Sequence, residues 1–161
     1  MKTAFFNSRR ISALLLILAL TLTMLLGVSC NKGNVADSGT ATVVVAAATE
    51  DGKATEYKVN LADLKDQRGL MTVLDYLKEH NGLTYTAQDS EYGAFLTSVN
   101  DLKPEGNQYI SLYTTVAADA DVSEWATTIE YQGTTLTSSG VGASSMTIED
   151  GAVIYICLLT F

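Results

Sequence analysis

The sequence predicts an α+β domain, with one short helix packed on a mostly antiparallel sheet. Three observations carry that prediction. Helical spacing occurs convincingly in a single stretch, Met71 to Gly82. A strongly alternating strand pair precedes it, and almost everything after it is strand-like. Hairpin, helix, then further strands is the order of an α+β fold.

The first element, TATVVVAAA from Thr40 to Ala48, is an unbroken β-branched and small apolar run. Such continuity fits a strand covered on both faces. TEDGKA follows, with Asp51-Gly52 at its centre, a pair that favours a tight hairpin turn. EYKVNL then alternates, with Tyr57, Val59 and Leu61 on one face and Lys58 and Asn60 on the other.

In the helix, Val73, Leu74 and Leu77 form the buried stripe. Thr72 and Asp75 have capping-box spacing, and Met71 with Tyr76 has that of a hydrophobic staple. Lys78 and His80 suit the last turn, where positive charge complements the helix dipole. Asn81-Gly82 supplies the stop.

The later strands are YGAFLTSVN from Tyr92 to Asn100, and NQYISLYTTV from Asn107 to Val116. In the second, Tyr109, Ser111 and Tyr113 share one face while Ile110 and Leu112 share the other. EWATTIEYQGTTL places Trp125, Thr127, Ile129 and Tyr131 on one face and turns at Gln132-Gly133. The last segment turns at Asp150-Gly151 and enters VIYICLLTF, apolar on both faces and therefore expected at the centre of the sheet. Pro104 interrupts this region within the loop DLKPEGN. GVGAS, Gly140 to Ser144, precedes a strand rather than a helix and is expected to be a flexible connection, not a phosphate loop.

The chain opens with Lys2, Arg9 and Arg10, then an apolar run from Ile11 to Gly27 in a stretch that stays uncharged to Ser29. That order is a secretory signal. Gly27, Val28 and Ser29 lead directly into Cys30, which resembles the bacterial lipoprotein signal, in which a diacylglycerol joins the Cys sulfur and the chain is cut before it. The alternative is a signal anchor that ends in an ordinary Cys. The expected division is residues 1–29 as signal peptide, 30–40 as lipidated Cys30 and flexible tether, and 41–161 as the domain. The tether, Asn31 to Thr40, would have a reach of about 16–19 Å. The expected location is the extracytoplasmic face of the cell membrane.

Loss of the three N-terminal basic residues leaves 7 Lys and Arg against 18 Asp and Glu, a net charge of −11. Nucleic acid needs clustered positive charge, so it is excluded as a partner. Cys157 is the one cysteine beyond Cys30 and His80 the one histidine, so no Cys/His metal cluster can form. Cys157 lies inside an apolar strand, where a thiol is inert. With no G-x-S-x-G turn to support a hydrolase, the reading is not an enzyme. Asp119, Asp121 and Glu124 form an acidic loop without the full calcium signature, which reads as a solvated loop.

Several of these stretches resemble a family. TVLDYLKEH, EYGAFLTSVNDL, EWATTIEYQGTTL and GASSMTIEDGAVIYICLLTF are similar to a domain of bacterial surface proteins that looks like the C-terminal domain of transcobalamin and intrinsic factor. The similarity spans roughly Val43 to Phe161. The resemblance implies a β-grasp-like domain and, more distantly, the ability to hold cobalamin or a related corrinoid, or another flat molecule. In such relatives the vitamin is clamped between this domain and a helical barrel, for which this chain has no segment.

Trp125, with Tyr109, Tyr113 and Tyr92, is the candidate aromatic wall for such a ligand. The competing reading makes these residues strand packing. The expected function is a non-enzymatic binding module held on the membrane by lipid. The alternative is a cell-surface interaction or structural module without a small ligand, in which a sheet edge takes a partner's strand.

Overall fold

The computed structural model describes residues 33–161 apart from Glu50, Asp66, Gln67 and Tyr92. Cys30 and Tyr92 therefore lie outside the described residues, as does the signal segment. The described residues fall within one compact unit, Lys32–Phe161.

Among the described residues, eight strands and one α-helix follow in the order β1 (Thr40–Val45), β2 (Thr55–Asn60), α1 (Leu70–His80), β3 (Tyr85–Ser90), β4 (Gly93–Val99), β5 (Gln108–Thr114), β6 (Thr128–Tyr131), β7 (Thr134–Ser138) and β8 (Val153–Thr160). Six strands form one sheet in the order β2-β1-β8-β5-β7-β6, and β3 with β4 forms a separate hairpin. All neighbours are antiparallel except β1 and β8, which run parallel. The α+β fold is thus present, with the last strand in the middle of the sheet where its two apolar faces belong.

Side-chain alternation divides the sheet into two faces. Ala41, Val43, Val45, Val59, Ile154, Ile156 and Ile110 face α1, which contributes Leu70, Val73, Leu74 and Leu77 to the same core. Burying each Val, Leu or Ile of this set stabilises the fold by about 1.5–3 kcal/mol. The outer face carries Val44, Tyr155 and Tyr113 in one register row. It is covered by the β6–β7 hairpin, whose Tyr131 ring lies 5.5 Å from that of Tyr155. β1 is buried from both sides for this reason: Val43, Val44 and Val45 are all at most 1% exposed.

Several local expectations need correction. The β1–β2 connection is not a tight Asp51-Gly52 turn. The register pairs Val45 with Thr55, leaving a nine-residue loop between the strands. Gly52 is required there by crowding, since a Cβ would stand 2.4 Å from the Ala47 methyl.

The capping box of α1 does not form either. The helix starts one residue earlier, from Gly69 at φ 75°, with no side-chain cap. The Met146 carbonyl takes the Leu70 N–H instead, at 3.2 Å. Thr72 Oγ1 accepts from the Arg68 N–H, and Asp75 accepts from the Tyr85 hydroxyl. The helix stops at Asn81 and Gly82 as its sequence predicts, with Gly82 at φ 72°.

The segment expected to be a flexible tether is part of the fold from Gly33 onward. Val35 is buried and bridges Ile148 in parallel. Likewise GVGAS is no loose connection: Ala143–Ser145 forms a 3-10 turn, with Ala143 and Met146 buried beneath it. The turns at Gln132-Gly133 and Asp150-Gly151 form as expected. Gln132 and Gly133 have φ of 49° and 79° between paired Tyr131 and Thr134, the signature of a two-residue hairpin.

Candidate functional site

Among the described residues, Trp125, Tyr109 and Tyr113 do not come together as one aromatic wall. Trp125 lies in the turn before β6, not on the strand, and is 79% exposed. This corrects the view that it covers the core. Tyr113 is 2% exposed, with its hydroxyl 3.0 Å from Thr127 Oγ1. Tyr109, four residues along the same strand face, stacks obliquely on Phe161 at 6.0 Å. Among the described residues Trp125 has no ring contact with either tyrosine.

What the fold builds near Tyr109 is a slot between two strand backbones. Ala94, Phe95 and Leu96 line one side, and Tyr109, Ile110, Ser111 and Leu112 line the other. Val141 and Ala143 close one end, and the cavity holds about 210 Å³. Runs of consecutive residues on both walls mean that backbone edges face the space, because side chains alternate while edges do not.

Hydrogen bonding identifies which edges these are. The Leu112 carbonyl accepts from the Ser139 N–H at 2.8 Å, so Leu112 points away from β8. In an antiparallel ladder alternate residues point the same way. Ile110 therefore turns its N–H and C=O toward the slot, in a stretch where β7 has already left β5: their pairing covers only Tyr113 and Thr114. On the opposite wall, the Ala94 N–H reaches Ser144 Oγ at 3.1 Å, away from β3. By the same alternation Leu96 presents its backbone to the slot. Phe95, 52% exposed, stands at the rim.

The Trp125 loop adjoins this slot. Asp121 N–H donates to the Ser138 carbonyl at 2.8 Å, and Gly140 N–H to the Asp119 carbonyl at 2.8 Å. Two local hydrogen bonds shape the loop: Ser123 N–H bonds Asp121 Oδ1 at 2.8 Å, and Trp125 N–H bonds Ser123 Oγ at 3.2 Å. Val122, 96% exposed, shares the tip with Trp125. Sequence reasoning found Trp125 and Tyr109 but grouped them wrongly, because strand parity alone does not say where a strand begins.

The acidic loop is not simply solvated. Asp119 is 1% exposed, and its carboxylate accepts from the Thr147 N–H at 2.5 Å. Burial raises its pKa against the opposing pull of the Thr147 hydrogen bonds. Cys157 lies on the outer sheet face, and burial pushes its thiol up to about 11. His80 is on the helix, across the sheet, with its Nδ1 2.9 Å from the Tyr76 carbonyl. The two cannot form a nucleophile–base pair.

A second cavity of about 480 Å³ runs beside α1, lined by residues including Arg68, Met71, Asp75, Tyr76 and His80. Its wall contains the stacked rings of Tyr76 and His80, with centroids 4.4 Å apart. Among the described residues no three His, Cys, Asp or Glu side chains gather where they could hold a metal ion. No helix among them is long and apolar enough to cross a membrane.

No family model matches the chain, and no curated protein does. Among solved structures it is similar to a Ruminococcus gnavus protein named as a candidate metal-binding protein. That likeness has 17% identity and a TM-score of 0.50, covering 76% of this chain and 98% of the other. At that identity it speaks to the fold alone.

Proposed function

We propose that this chain is a non-enzymatic binding module, held on the extracytoplasmic face of the membrane by lipid on Cys30. Its ligand is an extended segment of another surface protein, added as a strand in the β4–β5 slot. The observation that carries this reading is the pair of open backbone edges at Ile110 and Leu96, facing one cavity. Extended peptides recognise such edges through main-chain hydrogen bonds, and side-chain pockets then select among them. The exposed Trp125 and Val122 stand on the loop whose Asp121 bonds Ser138, next to Ser139 of the slot lining, and offer an aromatic anchor of the kind that dominates interfaces. The chain's negative charge favours a basic partner.

The β-grasp-like reading fits the same topology. A β1–β2 hairpin leads into the helix, and the closing strand lies centrally and parallel to β1. The transcobalamin-type resemblance favours a second ligand reading, a corrinoid or other flat molecule. The cavity beside α1, walled by Tyr76 and His80, is the place for it.

One titration separates the two. The isotope-labelled domain is mixed with a library of extended peptides that alternate apolar and basic residues, and separately with cyanocobalamin. Strand addition predicts amide shifts at Leu96, Ile110 and Leu112, lost in Ile110→Pro. Shifts at Tyr76 and His80 with the corrinoid alone support the second reading. Silence from every peptide at millimolar concentration overturns the first.

A further inference from the structure

The residues between Cys30 and the folded domain leave very little slack. Ala36 N–H donates to the Ile148 carbonyl at 2.8 Å, and Ile148 N–H to the Asn34 carbonyl at 2.7 Å. Val35 is 3% exposed. Gly33 is buried so tightly that a Cβ would stand 2.1 Å from the Met146 carbonyl oxygen. Gly69 approaches the same oxygen from the helix side, where a Cβ would stand 2.0 Å away and 3.1 Å from the Gly33 Cα. The chain is therefore fixed in the domain from Gly33.

Only Asn31 and Lys32 lie between Gly33 and Cys30. Three residue steps span at most about 11 Å. A domain of this size has a radius of gyration of about 14 Å. A link shorter than that radius cannot let the domain swing freely.

We propose that the domain rests on the lipid headgroups by one end, the end that carries Gly33, Asn34, Arg68 and Gly69. This rests on the reading of Cys30 as the acylated residue. Lys32, Lys65 and Arg68 share their segments of the chain with Asp37, Asp63 and Asp66, so the contact rests on the short link and not on a basic face. The loop after β1, with Lys53, lies at the opposite end, about 20 Å away along the strand.

The test uses the full chain, made with its lipid and reconstituted in vesicles of phosphatidylglycerol and phosphatidylethanolamine that carry headgroup nitroxides. A fluorophore is placed at Asn34→Cys or Lys53→Cys, each in a Cys157→Ala background. Strong quenching at position 34 and little at position 53 is the expected result. A Gly-Ser insert of about ten residues between Asn31 and Lys32 should then remove the quenching at position 34. Equal quenching at both positions, or none at position 34, overturns the proposal when mass spectrometry finds lipid on Cys30. Absence of lipid on Cys30 overturns the anchor reading itself.

Discussion

Tyr131 donates its hydroxyl to Glu56 Oε2 at 3.1 Å, joining the two strands that bound the six-stranded sheet. The strands are at opposite ends of the order β2-β1-β8-β5-β7-β6, so the β6–β7 hairpin must fold back over the outer face. Gln132 Nε2 adds a second donor to the same carboxylate oxygen at 3.2 Å. The hairpin thereby shields Val44 and Tyr113, which would otherwise lie on an open sheet face.

The Tyr131 hydrogen bond, helped by Lys58 and Gln132, holds the Glu56 carboxyl below its ordinary range. A depressed pKa contributes stability above the unfolded value and loses it as pH falls through the folded value. In Tyr131→Phe the Glu56 titration midpoint should rise toward that of a free glutamate. Carboxyl-carbon NMR across the acid range reads this directly; an unchanged midpoint would show that the hydroxyl plays no part.

Gly69→Ala should cost roughly 3 kcal/mol or more, because a positive φ and a 2.0 Å clash with the Met146 carbonyl act together. Gly82→Ala has a similar φ but nothing within 4 Å, and should cost about 1 kcal/mol. Thermal melts of the two variants should differ by several degrees. Equal losses would place the cost in backbone strain alone.

Leu77→Ala should destabilise by about 2–5 kcal/mol, since its side chain is fully buried under the sheet. Trp125→Ala should change stability by no more than about 0.5 kcal/mol despite removing the larger side chain. Denaturant curves for both variants test this. A large loss at Trp125 would mean that the loop packs more tightly than its 79% exposure indicates.

Asp119→Ala should cost about 1–3 kcal/mol by stranding the Thr147 N–H. The pH dependence runs opposite to that of Glu56. Burial raises the Asp119 pKa, so the folded chain holds that proton more tightly than the unfolded chain. Its contribution is full below the ordinary carboxylate pKa and declines as pH rises through the raised folded value. Asp119→Asn should flatten that decline while keeping an acceptor for Thr147. Melts at stepped pH check this, and an unaltered slope would count against it.

Much of the fold was legible in local pattern. The alternation of Tyr57, Val59 and Leu61 placed β2, and the two apolar faces of VIYICLLTF put β8 at the centre. Gln132-Gly133 marked its own turn, because positive φ is a local property of those residues. The α1 stripe and stop were equally visible. β3 was harder to foresee: YTAQDS is exposed along most of its length and has no apolar alternation.

The α+β class, the helix and most of the strands follow from side-chain periods of 2.0 and 3.6 that any stretch carries within itself. What the loops and the supposed tether do depends instead on long-range contacts. Val35 is buried because Ile148 is there to pair with it, and Gly33 because Met146 approaches it. The slot between β4 and β5 exists only because β7 pairs β5 at Tyr113 and Thr114 alone and leaves Tyr109–Leu112 without it. Such contacts join residues far apart in the chain, and no local period records them.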